Sequence, residues 1–125
     1  MREDVSALDA TAQAELVRKR EASAAELVDA AIARIEKLNP QLNAVITERF
    51  EKARVEALSD GLPNGPFRGV PFLLKDLDAY SANDPFHCGM KALKQASWTE
   101  SRDTYLSRKF REAGLVLLGK TNTPE

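Results

Sequence analysis

Two short, nearly uninterrupted apolar runs constrain this chain most: Val70-Pro71-Phe72-Leu73-Leu74 and Leu115-Val116-Leu117-Leu118. Four or five apolar residues without alternation read as a strand covered on both faces rather than one with a solvated side. Between the runs, Asp103 can cap a helix over Thr104 to Ala113, with Leu106, Phe110 and Ala113 on one face and Gly114 as its left-handed stop. A strand, a crossover helix and a second strand make the βαβ unit of a mostly parallel sheet. Ligand sites of such sheets lie beyond the C-terminal ends of the strands. Lys75 stands at one such end and Thr121-Asn122 at the other.

The first sixty residues have helical character. Asp9 can cap a short helix through about Arg18, and Ser23-Ala24-Ala25-Glu26 is a capping box followed at helical spacing by Leu27, Val28, Ala31, Ile32, Ile35 and Leu38. Asn39-Pro40 is expected to end that helix. After the brief apolar run Ala44-Val45-Ile46, Thr47 is expected to open a charged helix through about Leu58, with Phe50, Ala53 and Ala57 as a narrow buried face. The stretch Ser59 to Pro66 holds two glycines and two prolines in eight residues, so it reads as a loop and as the sharpest boundary in the chain. The expected fold class is α/β, with a helical segment over 1–60 and the start of a mostly parallel or mixed sheet core over 66–125. The stretch from Tyr80 to Thr99 has no clean period, although Met90, Leu93 and Trp98 are expected to find cover.

Composition excludes several functions. Eighteen basic against nineteen acidic residues leave no imbalance to draw the chain to nucleic acid or an anionic membrane. One cysteine and one histidine rule out an internal disulfide and leave too few ligands for an ordinary structural zinc site. No cofactor or metal is expected, and a reducing, cytoplasmic setting fits. Met1-Arg2-Glu3-Asp4-Val5 has no apolar run behind a basic start, and no stretch approaches the roughly 18 apolar residues of a membrane span, so the chain is expected to be unexported.

Lys75 is the chemically interesting residue. An ammonium at the end of a buried strand is costly unless paired or neutral, and a neutral lysine is a base. On general grounds it reads first as an ion-pair partner of Asp76 or Asp78. Its neighbours change that preference. The segment Gly69 to Asp76, the helix closed by Ala113-Gly114, and Gly119-Lys120-Thr121-Asn122-Thr123-Pro124-Glu125 together resemble the amidase signature family, as do the amino-terminal helices up to Leu42-Asn43-Ala44-Val45.

The resemblance implies a hydrolase or transferase of carboxamides with a nucleophilic serine, a bridging serine in a cis peptide, and a lysine matched by Lys75. A neutral lysine would take a proton from the bridging serine, which takes one from the nucleophile as it attacks the amide carbonyl. In that family both serines lie in a Gly/Ser-rich segment beyond the asparagine matched by Asn122. These 125 residues contain no such segment, and Ser81, Ser97, Ser101 and Ser107 do not replace it. The expectation is therefore the amino-terminal part of an amidase, inactive in isolation. The alternatives are a binding or regulatory module on the same scaffold, or a truncated product without function. The partner implied is a small-molecule amide, and a homo-oligomer is compatible with it.

Three further patterns have plainer readings. His87-Cys88 invites a base and nucleophile, yet adjacent residues on an extended chain point apart. The resemblance instead places Cys88, Gly89 and Met90 where relatives line the acyl pocket. Gly119-Lys120-Thr121-Asn122 lacks the preceding glycine-rich loop of a nucleotide site. The mixed charges of Glu48 to Arg54 read as a solvated face, and Asp76 reads as a turn former or cap.

Overall fold

The computed structural model describes residues 4–124. Met1 to Glu3, used above to judge the amino terminus, and Glu125, the last residue of the family-like segment, lie outside the described residues.

A 3-10 turn over Val5–Ala7 leads into α1 (Ala10–Arg18), whose cap is Asp9, the carboxylate accepting from the Ala12 amide. Helix α2 (Ala24–Leu42) begins with the expected capping box: Ser23 Oγ accepts from the Glu26 amide and Glu26 returns a carboxylate to the Ser23 amide. It runs two residues past Pro40, about half a turn. A proline so near the end removes only one intrahelical bond, and Asn43 closes the helix in the left-handed conformation at φ 50°. The Asn39 side chain fixes the exit, accepting from the amides of Ala44 and Val45 and donating to the Val45 carbonyl.

Strand β1 (Val45–Glu48) occupies the place where a helix start was expected, and α3 (Phe50–Leu58) begins three residues after Thr47. Thr47 and Glu48 therefore pair with another strand instead of capping a helix. Strand β2 (Pro71–Lys75), the short helix α4 (Lys91–Gln95), α5 (Tyr105–Glu112) and β3 (Val116–Thr121) complete the order. The cap of α5 is Thr104 rather than Asp103, whose carboxylate instead accepts from the Ala82 amide and pairs with Arg111.

The three strands lie in the order β1-β3-β2, with β1 antiparallel and β2 parallel to β3. The expected strand, helix and strand unit is present, and the sheet is mixed. Gly114 turns the chain at φ 94°. A β-carbon there would stand 2.4 Å from the Arg68 Cα, because segment 65–70 runs hard against the end of α5. The core joins α2, α3 and β3 through Val28, Ala31, Ile32, Phe50, Ala53, Val116 and Leu118, with Leu73 of β2 against it. On the other face of β2, Phe72 packs on Phe110 of α5 with ring centres 4.7 Å apart. Only Leu74 of β2 is fully buried, so the strand is less covered than its sequence suggests. Met90 and Trp98, expected to find cover, are about half exposed, because the 85–99 excursion lies on the surface.

Candidate active site

The parallel register brings the two candidate strand ends together. Lys75 pairs with Thr121, Leu74 with Lys120, and the Asp76 amide donates to the Thr121 carbonyl at 3.0 Å. Side chains alternate along β2, so Leu73 and Lys75 face the side of α2 and α3, while Phe72, Leu74 and Asp76 face the side of α5. Lys75 is exposed, and its amine has no ion-pair or hydrogen-bond partner among the described residues. The pairing with Asp76 or Asp78 considered from the sequence is not formed.

Asp76 turns inward and is almost fully buried, and its two carboxylate oxygens accept from the His87 amide at 3.1 and 3.3 Å. This aspartate thus holds the returning loop over residues 84–90 to the end of β2. The loop is not extended at Cys88, which takes φ 53°, and Gly89 follows at φ 72°. The Cys88 thiol turns toward the Leu77 carbonyl at 3.7 Å. Gly89, Met90, His87 and Asn122 line a cleft beside β1 that Lys91 and Lys94 border. Neither Cys88 nor Lys75 lines that cleft. The structure therefore gathers Gly89 and Met90 with Asn122, and leaves Lys75 on the adjoining sheet face.

The strongest electrostatics lie below this loop. Asp84 is buried, accepts from Ser81 Oγ at 2.6 Å, and meets Lys52 Nζ at 2.6 Å. Arg49 Nε lies 3.1 Å from Asp84 without the alignment of a hydrogen bond, and its Nη2 binds Glu56 at 2.7 Å. Burial is the largest influence on the Asp84 carboxyl and opposes its charge. The Lys52 and Ser81 hydrogen bonds and the charges of Arg49 and Lys52 outweigh it, holding the group below the ordinary range. Arg49, read from the sequence as part of a solvated face, is buried because β1 delivers it to the edge of β3, where it donates to the Leu117 carbonyl. Arg54 keeps the expected surface role, pairing with Glu51 and Asp29.

The burial expected of Lys75 is found instead at Lys120. It is 0% exposed, its amine has no hydrogen-bond partner, and it stands 5.4 Å from the centre of the Phe86 ring. Burial, the dominant influence, lowers its pKa against the pull of the Asp76 and Asp84 carboxylates. No sequence signal announces this, because the register that sets Lys120 beside Leu74 comes from the pairing of β2 with β3. Among the described residues no cluster of histidine, cysteine and carboxylates is suited to a metal. No helix among them is long and apolar enough to cross a membrane.

Residues 26–125 match the family profile described as Amidase. The chain is 51% identical over 117 residues to the 6-aminohexanoate-cyclic-dimer hydrolase of Paenarthrobacter ureafaciens, covering 94% of this chain and 23% of that protein. It is 35% identical over 124 residues to an acylamidase of Rhodococcus erythropolis, covering 94% of this chain and 25% of that one. A solved 6-aminohexanoate cyclic dimer hydrolase complexed with its substrate superposes with a TM-score of 0.86 at 51% identity, over 94% of this chain and 24% of the other. The chain thus spans about a quarter of the length of the relatives it matches.

Proposed function

This chain belongs to the amidase family, and on that footing we propose that it forms the amino-terminal portion of an enzyme that hydrolyses carboxamide C–N bonds, with Lys75 as the general base. The observation that carries the reading is the parallel register of β2 and β3, which sets Lys75 beside Thr121 and next to Asn122 at the strand ends. The bridging and attacking serines come from a segment that follows the asparagine, so the 125 residues by themselves do not turn over an amide.

Lys75 has to lose its proton to act, and a lysine titrating near ~10.4 does so at neutral pH only when its charged form is disfavoured. With the side chain exposed here, that environment must be supplied by elements packed onto the α2 side of the sheet. An apolar cleft between α2 and β2, with Leu38 and Leu42 exposed along it, gives such elements a surface to cover. It supports this reading over a self-sufficient binding module. The substrate class is a small carboxamide. The cyclic dimer hydrolysed by the 51% identical relative is the first compound to assay, beside a linear acylamide.

The test is the Lys75→Ala variant of the intact protein that carries these residues. Turnover should fall by ~10² to 10⁴, the usual contribution of a positioned base. A far-ultraviolet circular dichroism spectrum that matches wild type shows that the loss is one of chemistry and not of fold. Near wild-type turnover in the variant, or turnover by residues 1–125 alone, would overturn the proposal.

A further inference from the structure

A lysine with no solvent exposure and no acceptor for any of its three N–H donors is an expensive way to fill the end of a strand. A methionine of similar length would pack as well and leave no charge to desolvate. Stability alone therefore does not account for Lys120. What surrounds it is informative. Leu74 and Lys120 are lateral neighbours on parallel strands, and Asp76, two residues beyond Leu74, lies on the same face. Asp76 in turn receives the His87 amide, and the Phe86 ring covers the Lys120 amine. Two consecutive loop residues thus meet two separate buried charges of this face, Phe86 the Lys120 amine through its ring and His87 the Asp76 carboxylate through its amide.

We propose that Lys120 is a positioning residue: from beneath the ends of β2 and β3 it holds the 84–90 loop, through the Phe86 ring, in the place that presents Gly89 and Met90 beside Asn122. This rests on the amidase reading, in which that cleft takes the acyl part of the substrate. Lys120 touches neither substrate nor reacting atoms. Its effect passes through the loop, so it bears on substrate binding more than on the proton transfers.

Lys120→Met in the intact protein keeps the length of the side chain and removes the charge. Backbone hydrogen exchange is measured for the peptide over 84–90 and for β3, with KM and kcat on a carboxamide. Loop exchange should quicken by about tenfold while the β3 amides stay at wild-type rates, as local opening without global unfolding requires. KM should rise several-fold more than kcat falls. Phe86→Leu, which removes the ring over the Lys120 amine and leaves the Asp76 bond in place, should reproduce the loop result, and it serves as the test if Lys120→Met does not fold. Unchanged loop exchange, equal acceleration in loop and strand, or a loosened loop with unchanged KM would each overturn the inference. The Lys75→Ala variant keeps the two proposals apart. If it is inactive while the loop in Lys120→Met is undisturbed, the positioning role fails alone; if it remains active, Lys75 as the base fails; and if the wild type turns over no carboxamide, the amidase reading fails.

Discussion

Asp84 is the residue whose loss should cost the fold most for the fewest atoms removed. In Asp84→Ala three partners change at once. Lys52 is half exposed and returns to water, a loss of about 0.5 kcal/mol. Ser81 is fully buried and its hydroxyl loses its acceptor, which costs roughly 1 to 3 kcal/mol. Arg49 is buried and loses one of two carboxylates. Removing a whole buried partner costs about 3 to 5 kcal/mol, but Glu56 remains, so the lower part of that range applies. The three effects share one cluster and do not simply add, and a net loss of about 3 to 4 kcal/mol is expected. Urea unfolding of the intact protein reads it as a lower midpoint with an unchanged slope. Lys52→Met should cost under about 1 kcal/mol in the same assay. A loss below about 1 kcal/mol for Asp84→Ala, or an equal loss for Lys52→Met, would refute the assignment of the energy to the buried side of the cluster.

The same residue makes a prediction in pH. Its folded pKa is depressed, so its contribution is in full force above the unfolded value of about 3.9 and disappears as pH falls through the folded value. The stability gap between wild type and Asp84→Asn should be flat from neutral pH to about 5 and close in stronger acid. A gap that instead closes on the alkaline side would show that a different group governs it.

Two further substitutions test the frame around the site. In Gly119→Ala the new β-carbon would stand 2.2 Å from the Thr47 carbonyl oxygen, so β1 must part from β3, at a cost of at least about 1 to 3 kcal/mol, with hydrogen exchange quickened in 45–48. Wild-type protection there would show that the strands do not approach so closely. Ser23→Ala removes half of the capping box of α2 and should lower stability by about 1 kcal/mol, read as a lower urea midpoint; no change would mean that water or Glu26 replaces the cap.

Much of this architecture was legible where local chemistry decides it. The Ser23 and Glu26 box, the Asp9 cap and the Gly114 stop each depend on residues within a few positions of one another, and each appears as expected. The parallel pairing of the two apolar runs followed from the helix between them. Failures came where distant contacts override local signals. Thr47 caps nothing because β3, some seventy residues away, offers it a ladder, and four residues are too few to announce a strand. Arg49 and Lys120 carry the charge of surface residues and are buried by partners that no spacing reveals. For the candidate site the sequence announced a position, the C-terminal ends of two paired strands. Lys75, Gly89, Met90 and Asn122 stand near strand ends or in the loop that returns to them. Asp76, read as a turn former, is the residue that ties that loop down.

The position of β3 between β1 and β2 has a consequence for the order of events during synthesis. Both outer strands pair only with β3 among the described residues, and β3 is the last element of this segment to be made. A chain leaving the ribosome at roughly 5–20 residues per second therefore carries β1 unpaired for several seconds, and β2 for a somewhat shorter time. Helices α1, α2 and α3 can form meanwhile, since their hydrogen bonds are internal. The sheet cannot begin until Thr121 has emerged, so β1 and β2 are the segments that chaperones or stray strands would meet first.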